Sequence, residues 1–348
     1  MKFSRFIRNS LITLIAIVIT SHSKIQNLFA SILLDDRTLR TDLLEKLYMD
    51  KQVNARLSFI KQWNKIKPLV AVDRIENKEK FKTAKDRLHS NNEVKNALLD
   101  IFTEGNEVFL KDAVMRFPDR HSLWIQIHEI LLNENYYFES NTDSPLILDC
   151  GTHFGLAIYY FKNLYPKSRI IGFEPVPTLR KIALENIRRN NYSDIEILPY
   201  ALSDCQGTMP MYISKVDSMA ASLTERRRVF GELLTEITVK CHQLSDYLHE
   251  SVDFLKLDIE GSEEIVLKES QHLLENVQHI FCEYHHAGGL ETDRLGNILL
   301  LLDKYNFDTQ IGKSLHYRQI NHQPMNFVQN PYSVEIWAKK RKNIKKAR

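Results

Sequence analysis

The stretch Leu146-Ile147-Leu148-Asp149-Cys150-Gly151-Thr152-His153-Phe154-Gly155 decides how the rest of the chain is read. Apolar β-formers lead into an acid. Two glycines then bracket Thr152, His153 and Phe154, and an apolar helical stretch, 156–165, follows. A short apolar strand that turns through glycines directly into a helix opens a βαβ unit. In open α/β sheets ligands bind at the carboxyl ends of the strands. Gly151 lets the backbone turn tightly and approach a ligand, and Gly155 lets the next helix pack closely. His153 stands where the dinucleotide pattern G-x-G-x-x-G has the middle glycine that makes room for a pyrophosphate. The loop therefore predicts a ligand without a pyrophosphate.

Beyond this point β-forming runs alternate with amphipathic stretches. Strands are predicted at 146–149, 169–173, 195–198, 254–258, 279–283, 307–311 and 333–338, with helices at 156–165, 178–190, 262–274 and 292–305. That alternation predicts an α/β fold, a mostly parallel sheet of seven core strands with helices on both faces. The interval 209–240 departs from the rhythm, and 209–214 and 236–241 read as extra strands flanking a polar loop. Upstream, apolar residues recur at helical spacing, as in Leu43, Leu44 and Leu47 and in Val94, Ala97, Leu98 and Ile101, with a break near Pro68. The predicted organisation is a basic-apolar segment at 1–34, an N-terminal helical extension at 35–120, the α/β domain at 121–338 and a basic tail at 339–348.

Three further pieces carry chemistry. Glu174 ends the second strand, in Gly172-Phe173-Glu174-Pro175, where a carboxylate can accept hydrogen bonds from both hydroxyls of an adenosine ribose. Lys256-Leu257-Asp258-Ile259-Glu260-Gly261 ends the fourth, and Asp258 and Glu260 face the same side if the strand continues that far. Glu283-Tyr284-His285-His286 ends the fifth, beside the fourth, so acids and a histidine should converge at one edge.

Together these pieces resemble the FkbM family of methyltransferases. The matches are "YYFESNTDSPLILDCGTHFG", "IIGFEPVPTLRKIALENIRRNN", "ALSDCQGTMPMY" and "VDFLKLDIEGSEEIVL", within residues 120–315. The resemblance implies a class I methyltransferase fold with a Rossmann-like sheet, S-adenosylmethionine as cofactor, and methyl transfer to oxygen of a sugar, glycan or other natural-product acceptor. Its cofactor positions correspond here to Asp149, Gly151, Thr152, His153, Gly155, Glu174, Pro175, Ala201, Ser203 and Asp204. His153 is a departure, since the family usually has Asn there; it would contact the methionine part of the cofactor or narrow the pocket.

Methyl transfer from a sulfonium is an in-line displacement, and a hydroxyl becomes a good nucleophile only as a base removes its proton. His285 is the first candidate, since an unperturbed imidazole titrates near neutrality, and its neutral form would be the active one. Asp258 is the second, as base or as a group orienting the acceptor, with Glu260 beside it. Asp258, Glu260 and Glu283 are an oxygen set that would suit Mg²⁺, although acids at strand ends also bind sugar hydroxyls directly. Lipid or protein acceptors, or a cofactor-binding module without turnover, are the alternative readings.

Composition bounds the partners. Of 348 residues, 43% are hydrophobic and 26% charged, as in soluble globular proteins. The net charge of +3 becomes −4 once the seven Lys and Arg of residues 339–348 are set aside. The basic residues form no single stripe, so nucleic acid is not expected as a partner. The tail reads as a solvated end or as an arm for anionic lipid, and Arg226, Arg227 and Arg228 as a solvated run or a phosphate clamp. Lys2, Arg5 and Arg8 precede an apolar run, 11–19, too short to span a bilayer. That segment reads as a membrane-surface or buried helix, or as a signal-like leader. Four cysteines without a C-x-x-C pair predict reduced thiols in a cytoplasmic, or membrane-associated, protein.

Overall fold

In the computed structural model, residues 54, 55, 57–71, 91–223, 228–229, 232–286, 294–316 and 332–341 are described. The segment 1–34, most of the tail, and Arg226 and Arg227 fall outside them. The chain divides into two compact units, Met1–Thr103 and Glu104–Arg348. The described part of the first is helical, as its apolar spacing predicts. Residues 57–66 run into a 3-10 turn at Lys67–Leu69, and α1 spans Asn91–Phe102. Pro68 lies in that turn, where its missing N–H cannot continue a helix. Phe59, Trp63 and Ile66 are buried, as are Val94, Leu98 and Ile101, at the intervals that put side chains on one helical face. Among the described residues no helix is long and apolar enough to cross a membrane.

The second unit begins with a feature that the apolar pattern did not reveal. Residues 107–116, counted above in the helical extension, form a hairpin, β1 (Glu107–Phe109) with β2 (Val114–Arg116). Strands of three residues are too short to display a two-residue period. The helix α2 (Arg120–Gln126) follows, capped by Asp119, which accepts from the Ser122 N–H at 2.8 Å. It continues as a π-helix at Ile127–Leu132.

All seven predicted core strands are present: β3 (Leu146–Cys150), β4 (Arg169–Phe173), β5 (Ile195–Leu198), β9 (Val252–Leu257), β10 (Val277–His286), β11 (Phe307–His316) and β12 (Tyr332–Lys340). They form one sheet in the order β11-β12-β10-β9-β3-β4-β5. β12 runs antiparallel to both neighbours, and the other four pairs are parallel. This is the strand order and direction that the resemblance described above implies. The chain winds away from β3 in one direction and from β9 in the other, so a cleft opens at their shared carboxyl edge. β3 is buried throughout, as a central parallel strand covered on both faces must be. Lys256 and Asp149, registered opposite each other in β9 and β3, interrupt that apolar layer.

The helices α3 (Leu156–Leu164), α4 (Pro177–Arg189), α5 (Glu263–Glu269) and α6 (Leu295–Lys304) complete the crossovers. Pro177 starts α4, where a fixed φ costs nothing. Leu179, Ala183 and Asn186 form its buried stripe. Asn186 also ties the hairpin down: its Oδ1 accepts from Arg116 N–H at 2.7 Å, and its Nδ2 donates to the Arg116 and Phe154 carbonyls. The two extra strands are present as β7 (Gly207–Ile213) and β8 (Thr235–His242), and with β6 (Tyr200–Leu202) they make a three-stranded sheet. Its buried side packs Ala201, Met211, Val239 and Cys241 against Val176 and Leu179.

The expected basic tail starts later than its charges suggest. Lys339 and Lys340 belong to β12, and the Lys340 ammonium donates to the Leu274 and Tyr305 carbonyls. Arg341 bridges Asp303 and Asp308 at 2.8 Å. Of the four free cysteines, Cys150, Cys241 and Cys282 are buried and Cys205 is exposed.

Candidate functional site

A cavity opens where β3, β4 and β9 end, at the edge where ligands bind in open α/β sheets. Six of the ten predicted cofactor residues line it: Gly151, Thr152, His153, Glu174, Pro175 and Ala201. Asp149, Gly155, Ser203 and Asp204 do not. Gly155 caps α3 from behind the loop, in the left-handed region at φ 88°. Ser203 is buried and donates its backbone N–H to His242, and Asp204 is exposed.

The local backbone explains these positions. Gly151 has φ +91°, and a Cβ there would lie 2.0 Å from the Asp258 carbonyl oxygen. Its freedom therefore serves the approach of β9's end, and not only a ligand. Gly151 and Thr152 donate to the Phe173 carbonyl at 3.1 and 3.0 Å, which folds the loop over the end of β4. Glu174 follows there. Its Oε2 accepts from the His153 N–H and its Oε1 from the Val176 N–H, both at 2.8 Å. Each oxygen keeps a lone pair. Burial pushes this carboxyl up to about 7, against the pull of those two N–H groups.

Asp149 is fully buried, and neither carboxylate oxygen accepts a hydrogen bond. Its nearest cation is the Lys256 ammonium at 3.5 Å. Lys256 also reaches Asp258 Oδ2 at 3.3 Å and donates to the Gly151 carbonyl at 2.6 Å. Burial works against its charge, yet Asp258 and Asp149 more than offset that, and its pKa lies above the ordinary lysine value. Lys256 thus joins β3, β9 and the glycine loop electrostatically. It stands inside the motif quoted above, but its role depends on the register of two strands, which no local pattern reports.

The acids at the end of β9 converge by a different route from strand alternation. β9 stops at Leu257, and Glu260 takes the left-handed conformation at φ 59°, a costly one for a side-chain-bearing residue. Glu263, buried at the start of α5, holds the turn by accepting from the Ile259 and Gly261 N–H groups. Ligand atoms of Asp258, Glu260 and His285 then lie within 4.8 Å of one another. Asp258 and Glu260 line the cavity, and His285 stands behind them.

His285 has a different environment from that of a general base. Nδ1 lies 3.1 Å from Glu263, and Nε2 lies 3.6 Å from Glu260 and 3.5 Å from Glu283. Burial disfavours its charge, but the three carboxylates outweigh burial and raise its pKa well above the ordinary value. An imidazolium cannot take a proton, so the expectation that neutral His285 is the base does not fit this geometry. The same charge bears on Mg²⁺. A protonated Nε2 already stands between Glu260 and Glu283, and the nearby donor set is mixed rather than the all-oxygen set that Mg²⁺ prefers.

Glu129 was not singled out from the sequence. It lines the cavity from the π-helix, and such bulges recur at functional sites. Burial, Glu283, Asp258 and Glu335 push its carboxyl up to about 9. A carboxyl with a raised folded pKa binds more protons folded than unfolded, so the stability it contributes is lost as pH rises from about 4.5 to about 9. Glu129→Gln is expected to raise Tm at pH 8 by about 2–4 °C, roughly 1 kcal/mol, and to change it less at pH 5. Thermal scans giving the same difference at both pH values would contradict this.

The chain is similar to known methyltransferases. Residues 149–309 match the family model described as the methyltransferase FkbM domain. The chain is 26% identical over 212 residues to methyltransferase sdnD of Sordaria araneosa, covering 52% of this chain and 80% of that protein. It is 25% identical over 155 residues to the 2-O-methyltransferase NoeI of Sinorhizobium fredii, covering 40% and 63%. The structure of a methyltransferase FkbM from Methylobacillus flagellatus is 16% identical, with a TM-score of 0.37, covering 74% of this chain and 58% of that one.

Proposed function

Residues 149–309 are an FkbM methyltransferase domain, and from this premise we propose that the chain transfers a methyl group from S-adenosylmethionine to a hydroxyl of a sugar, glycan or related natural product. One observation carries the reading: a single cavity joins the Glu174 carboxylate at one strand end to Asp258 and Glu260 at another. When bound, S-adenosylmethionine supplies an electrophilic methyl on a sulfonium.

In this reading the residues divide the work. Glu174 accepts from the ribose hydroxyls with the lone pair left on each oxygen. Leu179, Ala201 and Met211 give the cavity an apolar wall suited to an adenine face. Asp258 accepts the proton of the acceptor hydroxyl, whose oxygen would take the methyl group from the donor's sulfonium and leave it a neutral thioether. Lys256 orients Asp258 by holding Oδ2, and His285 positions Glu260 to accept from a neighbouring hydroxyl. Sugars present such pairs of hydroxyls, and NoeI is named a 2-O-methyltransferase.

Glu174→Gln keeps one carbonyl acceptor and loses the charge. Donor affinity is expected to fall about tenfold, the scale of a charge-assisted hydrogen bond, with the fold intact by circular dichroism. An unchanged dissociation constant would remove Glu174 from the site. The acceptor class is tested by turnover with methyl-labelled donor against hydroxylated sugars, lipids and proteins. Label entering sugars is expected; label entering lipid or protein alone would replace the acceptor, and none with any class would point to a binding module.

A further inference from the structure

One wall of the donor cavity is formed by the segment 214–223, through Ser218, Met219, Ala221 and Leu223. On its other side lies a second cavity of about 270 Å³, and Leu179, Ser218 and Ala221 belong to both. Ala221 and Leu223 pack on the cluster around Leu179 and Met211, and hydrogen bonds tie the wall at each end of that contact. Two of its hydrogen-bonded ties can be named among the described residues. At the far end buried Ser222 exchanges backbone hydrogen bonds with Tyr212 at 2.8 and 3.0 Å, and its hydroxyl donates to the Glu260 carbonyl. At the near end Ser218 donates its hydroxyl to Asp119, the cap of α2.

His153 completes the near attachment from the glycine loop. Its Nε2 lies 2.9 Å from Ser218 Oγ, and its Nδ1 lies 2.8 Å from Gln126 Nε2. The donors fix the tautomer. The Ser218 proton goes to Asp119, so Oγ accepts from an Nε2–H, and Nδ1 accepts from the Gln126 amide. Burial keeps the ring neutral by lowering its pKa to about 4. Both ring nitrogens are thus engaged within the protein, while the residue still lines the main cavity.

We infer that His153 and Ser218 form a latch, anchored on Asp119, that holds this wall against the donor site, and that the donor enters and leaves when the wall swings into the second cavity. The inference rests on the reading of the main cavity as the S-adenosylmethionine site. His153 is here a positioning residue, acting on the donor through the wall.

The test uses the full chain with Ser218→Ala, and with Ser218→Thr, which keeps a hydroxyl. Hydrogen exchange in the absence of donor reads the latch directly, because opening exposes the 214–223 amides. Stopped-flow release of S-adenosylmethionine reads its consequence. Ser218→Ala is expected to speed exchange across 214–223 only, and to speed donor release about three- to tenfold, the effect of one lost hydrogen bond; Ser218→Thr should restore both. Unchanged exchange, or faster exchange with unchanged release, overturns the latch. A wild-type chain that binds no S-adenosylmethionine removes the reading of the cavity and the gating with it, and the exchange data then report on the tie alone.

Discussion

Asp258→Asn should lower kcat by about 10²- to 10⁴-fold, the range for loss of a positioned base, with little change in donor affinity. The substitution keeps the side chain's shape, and the backbone carbonyl that packs on Gly151 is untouched. Lys256 lies 3.3 Å from Oδ2 and would draw the amide oxygen to itself. The amide NH₂ would then face the acceptor, presenting a donor where the reaction needs a group that takes a proton. Steady-state turnover with saturating donor measures the effect. Retention of wild-type kcat would pass the role to Glu260, the other cavity-lining acid of this turn. His285→Ala should be milder, because it loosens Glu260 without removing a group that touches the acceptor.

Gly151→Ala should strongly destabilise the domain. Two effects add: a left-handed φ of +91°, costing roughly 1–2 kcal/mol for a side-chain-bearing residue, and a Cβ 2.0 Å from the Asp258 carbonyl oxygen, overpacking worth about 1–3 kcal/mol. The neighbour is backbone and cannot rotate aside, so β3 and β9 must part where Lys256 joins them. A loss of roughly 2–5 kcal/mol is expected, with donor binding lost as well. Gly155→Ala is the control. Its φ is similar at +88°, but its Cβ would meet nothing closer than Ile158 at 3.6 Å, so only the conformational cost of about 1–2 kcal/mol applies. Denaturant titration giving equal losses for the two variants would show that the approach of Asp258 is not what Gly151 serves.

What was legible in the sequence follows from range. The seven strands and their helices could be read because each depends on a run of neighbours: Leu146–Leu148 before a glycine turn, or Leu179, Ala183 and Asn186 on one helical face. The glycine loop and Glu174 were legible for the same reason, since strand ends come to one edge in any parallel sheet. The hairpin at 107–116 and the π-helix at 127–132 were not, because three-residue strands and a single extra backbone residue per turn leave no periodic trace. The chemistry of the acidic edge was the least legible. His285 looks like a base when only Asp258 and Glu283 are considered. It becomes a buried cation once Glu263, delivered by α5, is added, and only the crossover connection shows that Glu263 is there. Lys256 and Ser218 acquire their tasks in the same way, through strand register and through a loop whose anchor, Asp119, lies 99 residues away.

We propose that the cavity at the ends of β3, β4 and β9 is built for S-adenosylmethionine and not for a dinucleotide. Isothermal titration of the wild-type chain with S-adenosylmethionine and, separately, with NAD tests it most directly. Saturable binding of S-adenosylmethionine, with NAD binding far weaker or undetectable, is predicted, because His153 replaces the middle glycine of the dinucleotide pattern; NAD affinity equal to or tighter than that for S-adenosylmethionine would contradict it.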